Sequence, residues 1–125
     1  MKIYLAGPMR GIPHFNFPAF DYAAEKLRAM GFDVFSPADN DRAKSTVSPE
    51  LSPTGDQDEL TKQTGFSLRN ALADDTRFIC KEADIIALLP GWEKSKGATA
   101  EHALSVALGH TVMILGADFK DPDAV

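Results

Sequence analysis

Two acidic residues occupy helical positions where a carboxylate could do chemistry. Between Leu68 and Ala83, the residues Leu68, Leu72, Ile79 and Ala83 recur at helical spacing as an apolar stripe, and Asp75 falls in its middle. A carboxylate on a buried face has to be hydrogen-bonded or protonated, and desolvation raises its pKa. A carboxylic acid that keeps its proton is what a general acid requires. The same spacing is also met by a structural Asp75 that accepts backbone N–H bonds. Asp74 lies off to one side of the stripe.

Glu101 is the second such residue. Ala100, Ala103, Leu104, Ala107 and Leu108 are expected to form the buried face of a helix over about Gly97 to Leu108, with Glu101 at the border of that face. Gly97, one turn earlier on the same side, has no side chain to cover the carboxylate. The early helical position favours the ionised form through the helix dipole. An ionised, uncovered carboxylate suits nucleophilic attack; a surface Glu101 paired with Lys94 or His102 is the plainer reading. One ionised carboxylate beside one that stays protonated is the arrangement of glycosidic-bond cleavage. For a nucleoside the leaving group is a base, protonated on a ring nitrogen as it departs.

Other chemistries find less support. Gly7-Pro8-Met9-Arg10-Gly11 is a glycine-bounded loop without the lysine of a Walker motif, and no Gly-x-Gly-x-x-Gly occurs. His14, His102 and His110 lack ligand spacing, so no metal is expected, nor any cofactor. Trp92 is placed to stack on a base or to cover the start of a helix. Cys80, the single cysteine, rules out an intrachain disulfide and is expected as a half-buried structural thiol.

The elements that would position these residues are legible from hydropathy. Ile3–Ala6, Val34–Phe35, Ile85–Leu89 and Val112–Leu115 are continuous apolar runs, the pattern of parallel strands buried on both faces. Helical patterns alternate with them, as in an α/β fold. The first helix has Asn16 as its expected cap, Pro18 in its first turn, Gly31 at its end, and Phe20, Ala23, Ala24, Leu27 and Met30 as its buried stripe. A second helix is expected from about Ser67 to Glu82. The stretch from Asn40 to Gly65 lacks a period and is expected as one long loop, either a lid or a surface excursion. In open parallel sheets ligands sit at the carboxyl ends of the strands. Gly7–Gly11, Pro90–Trp92 and the helix carrying Glu101 converge there.

The 125 residues suit one domain, 1–125, and 44% hydrophobic with 25% charged residues is ordinary globular composition. A net charge of -5 argues against non-specific nucleic-acid binding, yet leaves room for one small anionic ligand. The N-terminal apolar run is too short for a signal peptide or a membrane span, so a cytoplasmic chain with no membrane partner is expected.

Several of these segments resemble the nucleoside 2-deoxyribosyltransferase superfamily. The resemblance is carried by Ile3-Tyr4-Leu5-Ala6-Gly7-Pro8, by Gly97 to Leu104 with Ala107-Leu108-Gly109, and by Leu89 to Ala98, which is similar to the Leu-Pro-Gly-Trp-Glu-x-Ser-x-Gly-Ala signature of an uncharacterised branch. It implies a flavodoxin- or Rossmann-like three-layer sandwich with about four parallel strands, ordered 2-1-3-4. It further implies Glu101 as a nucleophile forming a glycosyl-enzyme intermediate, Tyr4 as the residue positioning it, and Asp75 as the acid near the base. Asp74 is a fallback, because the spacing from Asp75 to Asp84 is one residue longer than in better-known members. Ser95 stands where transferases of free nucleosides carry an aspartate and where 5′-monophosphate hydrolases carry a serine. With Arg10 and Gly11 resembling a phosphate-side loop, the expected substrate is a (2′-deoxy)nucleoside 5′-monophosphate. Gly7, Pro8, Trp92 and Gly97 complete the expected substrate-binding set. Transfer between free nucleosides, or a nucleotide sensor without turnover, are the rival expectations. Relatives are completed by a neighbouring subunit, which implies a homodimer or larger homo-oligomer, although the family's fifth strand and last helix are reduced here to 117–125.

Overall fold

The computed structural model describes residues 1–44, 52–56 and 67–119. Four parallel strands, β1 (Lys2–Ala6), β2 (Asp33–Phe35), β3 (Ile85–Leu88) and β4 (Thr111–Ile114), form one sheet in the order β2-β1-β3-β4. This is the expected order. Helices α1 (Phe17–Ala29), α2 (Pro37–Lys44), α3 (Leu68–Lys81) and α4 (Lys96–Ala107) cover the sheet.

The pleat sorts the side chains of the central strands into two cores. Ile3, Leu5, Ile85 and Ala87 point toward α1, where they meet Phe17, Phe20, Ala24 and Leu27. Tyr4, Ala6, Ile86 and Leu88 point the other way, onto Ile79 of α3 and Ala98 of α4. The result is a three-layer α/β sandwich with both faces of the sheet covered, as continuous apolar strands require. Tyr4 pairs with Phe35 on one side and Ile86 on the other, so its position is fixed from both neighbours.

Several expectations need correction. Residues 40–44 are helical, belonging to α2, and not loop. Pro37 presets the first turn, Asp39 lies near its positive end and Arg42 and Lys44 near its negative end. Ion pairs of Arg42 with Asp21 and of Arg28 with Asp39 tie α2 to α1, and Arg42 also pairs with Asp39 within α2. A helix held by charge carries no hydrophobic period, which is why its sequence reads as loop. Of the rest, residues 52–56 run beside the Gly7–Gly11 segment, where Gly11 N donates to the Gly55 carbonyl at 2.9 Å; residues 45–51 and 57–65 lie outside the described residues.

Asn16 precedes α1 but does not cap it. It is left-handed (φ 60°) and its amide donates to the Pro8 carbonyl at 2.9 Å. Met30 is exposed and not part of the α1 stripe. Cys80 is exposed as well, because it faces away from the sheet one position past buried Ile79.

The largest correction concerns α4. Its buried residues are Ala98, Glu101 and Ser105, while Ala100, Ala103, Ala107 and Leu108 are exposed and Leu104 is half-buried. The most apolar side of this helix therefore faces outward. It continues into the edge strand β4, where Val112 and Ile114 are also exposed. Among the described residues, no helix is long and apolar enough to cross a membrane.

Gly7, directly after β1, is buried because Leu89 packs on it: an added Cβ would stand 2.7 Å from Leu89 Cβ. Gly7→Ala is expected to lower stability by about 1–3 kcal/mol through overpacking, read from urea unfolding midpoints. An unchanged midpoint would show that the β1 loop can shift without cost.

Candidate active site

The site is built around a phenol. Tyr4 is fully buried in mid-sheet, its ring stacked on Phe35 (centroids 5.7 Å apart) and tilted against Phe78 (6.4 Å). Phe35 and Phe78 stack on each other at 4.6 Å, so β2 and α3 together hold the ring in one orientation. From there the Tyr4 hydroxyl donates to Glu101 Oε2 at 2.6 Å, within the range of a charge-assisted bond to a carboxylate.

Glu101 reaches the phenol because α4 turns its small side to the sheet. Ser95 caps the helix, its hydroxyl accepting from Ala98 N at 3.2 Å. At Gly97 an added Cβ would meet nothing closer than Ser95 Oγ at 4.0 Å, so the space above the carboxylate is open. Glu101 itself is only 6% exposed, which excludes a surface Glu paired with Lys94 or His102.

Asp75 is equally buried and lines the same cleft, where its Oδ1 has no hydrogen-bond partner. Burial, then the Glu101 and Asp41 charges, push it up to about 8, opposed by Tyr4. Burial likewise raises Glu101 to about 7, opposed by the Tyr4 hydrogen bond. Burial, and not the helix dipole, thus dominates Glu101. Tyr4 is held well above its ordinary value by burial and by Glu101. Asp74 is a different residue altogether: it points to α2, bonded to Lys44 and Asn40, which lower its pKa.

These groups line an inner cleft of about 80 Å³ together with Gly7, Arg10, Phe15, Ser95 and Gly97. Phe15 enters this wall from a turn in which His14, Phe15 and Asn16 are all left-handed, a costly conformation for non-glycine residues. The cleft shares Met9, Arg10 and Ser95 with an outer bowl of about 880 Å³, which also carries Pro8, Gly11, Lys94 and Lys96. Its charged lining residues are all cations, in a chain of net charge -5. On the opposite side the cleft shares Asp41 and Ala71 with a side cavity of about 370 Å³ between α2 and α3. The inner cleft alone is smaller than an ordinary small-molecule site, and the three cavities together are ample.

The structure thus gathers Tyr4, Asp75, Glu101, Gly7, Arg10, Ser95 and Gly97 in one cleft, with Pro8 and Gly11 in the adjoining bowl. Trp92 is not among the lining residues; its ring packs against His102 at 4.6 Å. Sequence reasoning missed Asp41, which belongs to α2. Its one signal is position, three residues after the buried Ala38 and four after the buried Pro37. Among the described residues no group of His, Cys, Asp or Glu could hold a metal ion.

A family model described as a domain of unknown function (DUF4406) matches residues 1–114. No curated protein sequence matches the chain.

Asp75, Glu101 and Asp41 all bind their protons more tightly in the fold than their ordinary values of 3.8, 4.5 and 3.8. Their contribution to stability is therefore fully present below about pH 4 and is lost as pH rises through about 7 to 8. The melting temperature is expected to fall over that rise, and Asp75→Asn should flatten the slope. A melting temperature that climbs over the same window would contradict these charge states.

Proposed function

The chain belongs to the DUF4406 family, and we propose that it cleaves the N-glycosidic bond of a (2′-deoxy)nucleoside 5′-monophosphate. The observation that carries this reading is a buried phenol bonded to one buried carboxyl, Glu101, at 2.6 Å, with a second buried carboxyl, Asp75, in the same cleft. Glu101 gives up its proton first, and its oxygen attacks C1′ of the sugar. Asp75 keeps its proton longer and passes it to a ring nitrogen of the base as the C1′–N bond breaks. Tyr4 keeps the attacking carboxylate from rotating and stabilises its ionised form through the hydrogen bond, while keeping its own proton. Water or a second base then attacks C1′, releasing Glu101, and the proton it loses returns to Asp75.

The cations support the phosphate. Arg10, Lys94 and Lys96 line the outer bowl, and none forms an ion pair with a described residue. Ser95 and the first N–H groups of α4 lie at the boundary between bowl and cleft, where a helix N-terminus favours an anion. A sugar at the Glu101 cleft would thus have its 5′ substituent toward the bowl. The segments around Tyr4, Ser95 and Glu101 resemble in sequence those of the nucleoside 2-deoxyribosyltransferase superfamily, and this resemblance supports the reading. We place the reaction in the cytoplasm, with no cofactor.

The exposed strip of Val106, Leu108, Val112 and Ile114 supports a homodimer. α4 packs beside β4, an edge strand among the described residues, and an isologous pairing would cover these side chains on both copies at once. Wild type is expected to sediment as a dimer and Ile114→Glu as a monomer of unchanged helical content. A monomeric wild type would remove this assembly.

The catalytic reading is tested by base release from common nucleosides and their 5′-monophosphates, followed by liquid chromatography. Release from the monophosphates is expected, and Glu101→Gln should reduce it on the order of a thousandfold or more. A new nucleotide appearing when a second base is added would make the protein a transferase. Equal release from free nucleosides would remove the phosphate requirement, and binding without any release would leave a nucleotide sensor.

A further inference from the structure

Asp41 has no place in the mechanism above, yet it is one of the most unusual groups in the molecule. It is only 8% exposed, and its Oδ1 is buried without a hydrogen-bond partner. Lys44, one turn along the same helix, lowers the cost of an ionised Asp41 through its charge, but its ammonium is hydrogen-bonded to Asp74. A buried carboxylate oxygen without a donor is costly, and natural structures retain few of them. Asp41 stands in the wall shared by the inner cleft and the side cavity, opposite the bowl that carries the cations. Asp75 stands in the same cleft, and its Oδ1 is also buried and unpartnered. The same cleft is lined by the apolar Leu68, Ala71 and Leu72.

The two acids are not equivalent toward a ligand. Asp75 donates its proton in the reaction, whereas Asp41, which burial keeps protonated up to about pH 7, can only accept once it is ionised above that pH. A donor and an acceptor lining one small, otherwise apolar cleft are complementary to one kind of heterocycle edge: a ring nitrogen that takes a proton, next to an amine that gives an N–H. We propose that Asp41 is the specificity-determining residue for the leaving base, selecting bases with an exocyclic amine beside a ring nitrogen, as in adenine and cytosine. Their oxo counterparts, hypoxanthine and uracil, turn a carbonyl oxygen toward Asp41, which sets acceptor against acceptor. This inference rests on the reading of the cleft as an N-glycosidic site. The proton balance is unchanged by it: Asp75 O–H protonates the ring nitrogen, the C1′–N electron pair leaves with the base, and Asp41 only accepts the amine hydrogen bond.

The test is binding, so that it stands apart from turnover. Glu101→Gln protein is titrated calorimetrically with the 5′-monophosphates of deoxyadenosine, deoxyinosine, deoxycytidine and deoxyuridine. Each amino member is expected to bind about tenfold or more tightly than its oxo partner, the size of one hydrogen bond to a charged group. Adding Asp41→Asn, which keeps the shape but offers an N–H, should abolish or reverse that preference. Equal binding of amino and oxo members to Glu101→Gln overturns the inference even if the wild type releases bases. A preference that survives Asp41→Asn overturns it also. Amino-selective binding without base release overturns the glycosidic reading alone, and binding of none of the four overturns both.

Discussion

The Tyr4–Glu101 hydrogen bond is the constraint around which the rest of the site is arranged. A phenol buried in the middle of a parallel sheet has no water to bond, so its hydroxyl must find an acceptor in protein. The acceptor it finds is a carboxylate, 2.6 Å away, carried by a helix from the other end of the chain. Meeting this demand requires α4 to lie close on the sheet, which in turn requires small residues on its inner side. Ala98 and Ser105, above and below Glu101, satisfy that requirement. The carboxylate is then held in a fixed place, desolvated but supported, and a second buried acid, Asp75, lines the same cleft. Two acids so close cannot both be charged at low cost, and the difference in their proton affinities follows from the packing.

A gradient of charge runs across the cavities that meet at this pair. Arg10, Lys94 and Lys96 lie on one side, the carboxyl pair in the middle, and Asp41 on the other. Asp74 is the control within the same helix. It neighbours Asp75 in sequence, yet it is paired with Lys44 at the surface and its pKa moves down where that of Asp75 moves up. Burial and partners, not residue type, separate the two.

The apolar side of α4 shows how a correct principle leads to a wrong assignment. Ala100, Ala103, Ala107 and Leu108 make the more hydrophobic face, and a lone helix on a core would bury it. In this fold the inner face is chosen by what Tyr4 and the strands offer, and the apolar face is left outward beside β4. Periodicity reports which residues share a face of one helix, and it is silent on which face meets the neighbour.

The sequence by itself determined the strands, the parallel sheet and the helices α1, α3 and α4. Continuous apolar runs and helical stripes are local properties, and strong ones in this chain. It also determined that Asp75 is anomalous, because an acid within a stripe is visible without coordinates. The tertiary structure decided that Asp75 and not Asp74 faces the cleft. It also made Glu101 a buried residue and not a border one, and placed Asp41 in the wall of the site. Each of these depends on contacts between segments far apart in the chain, as between Tyr4 and Glu101, or on a helix such as α2 that is stabilised by ion pairs. Such contacts leave no period in the sequence, because their energy is set by distance and burial in the assembled fold.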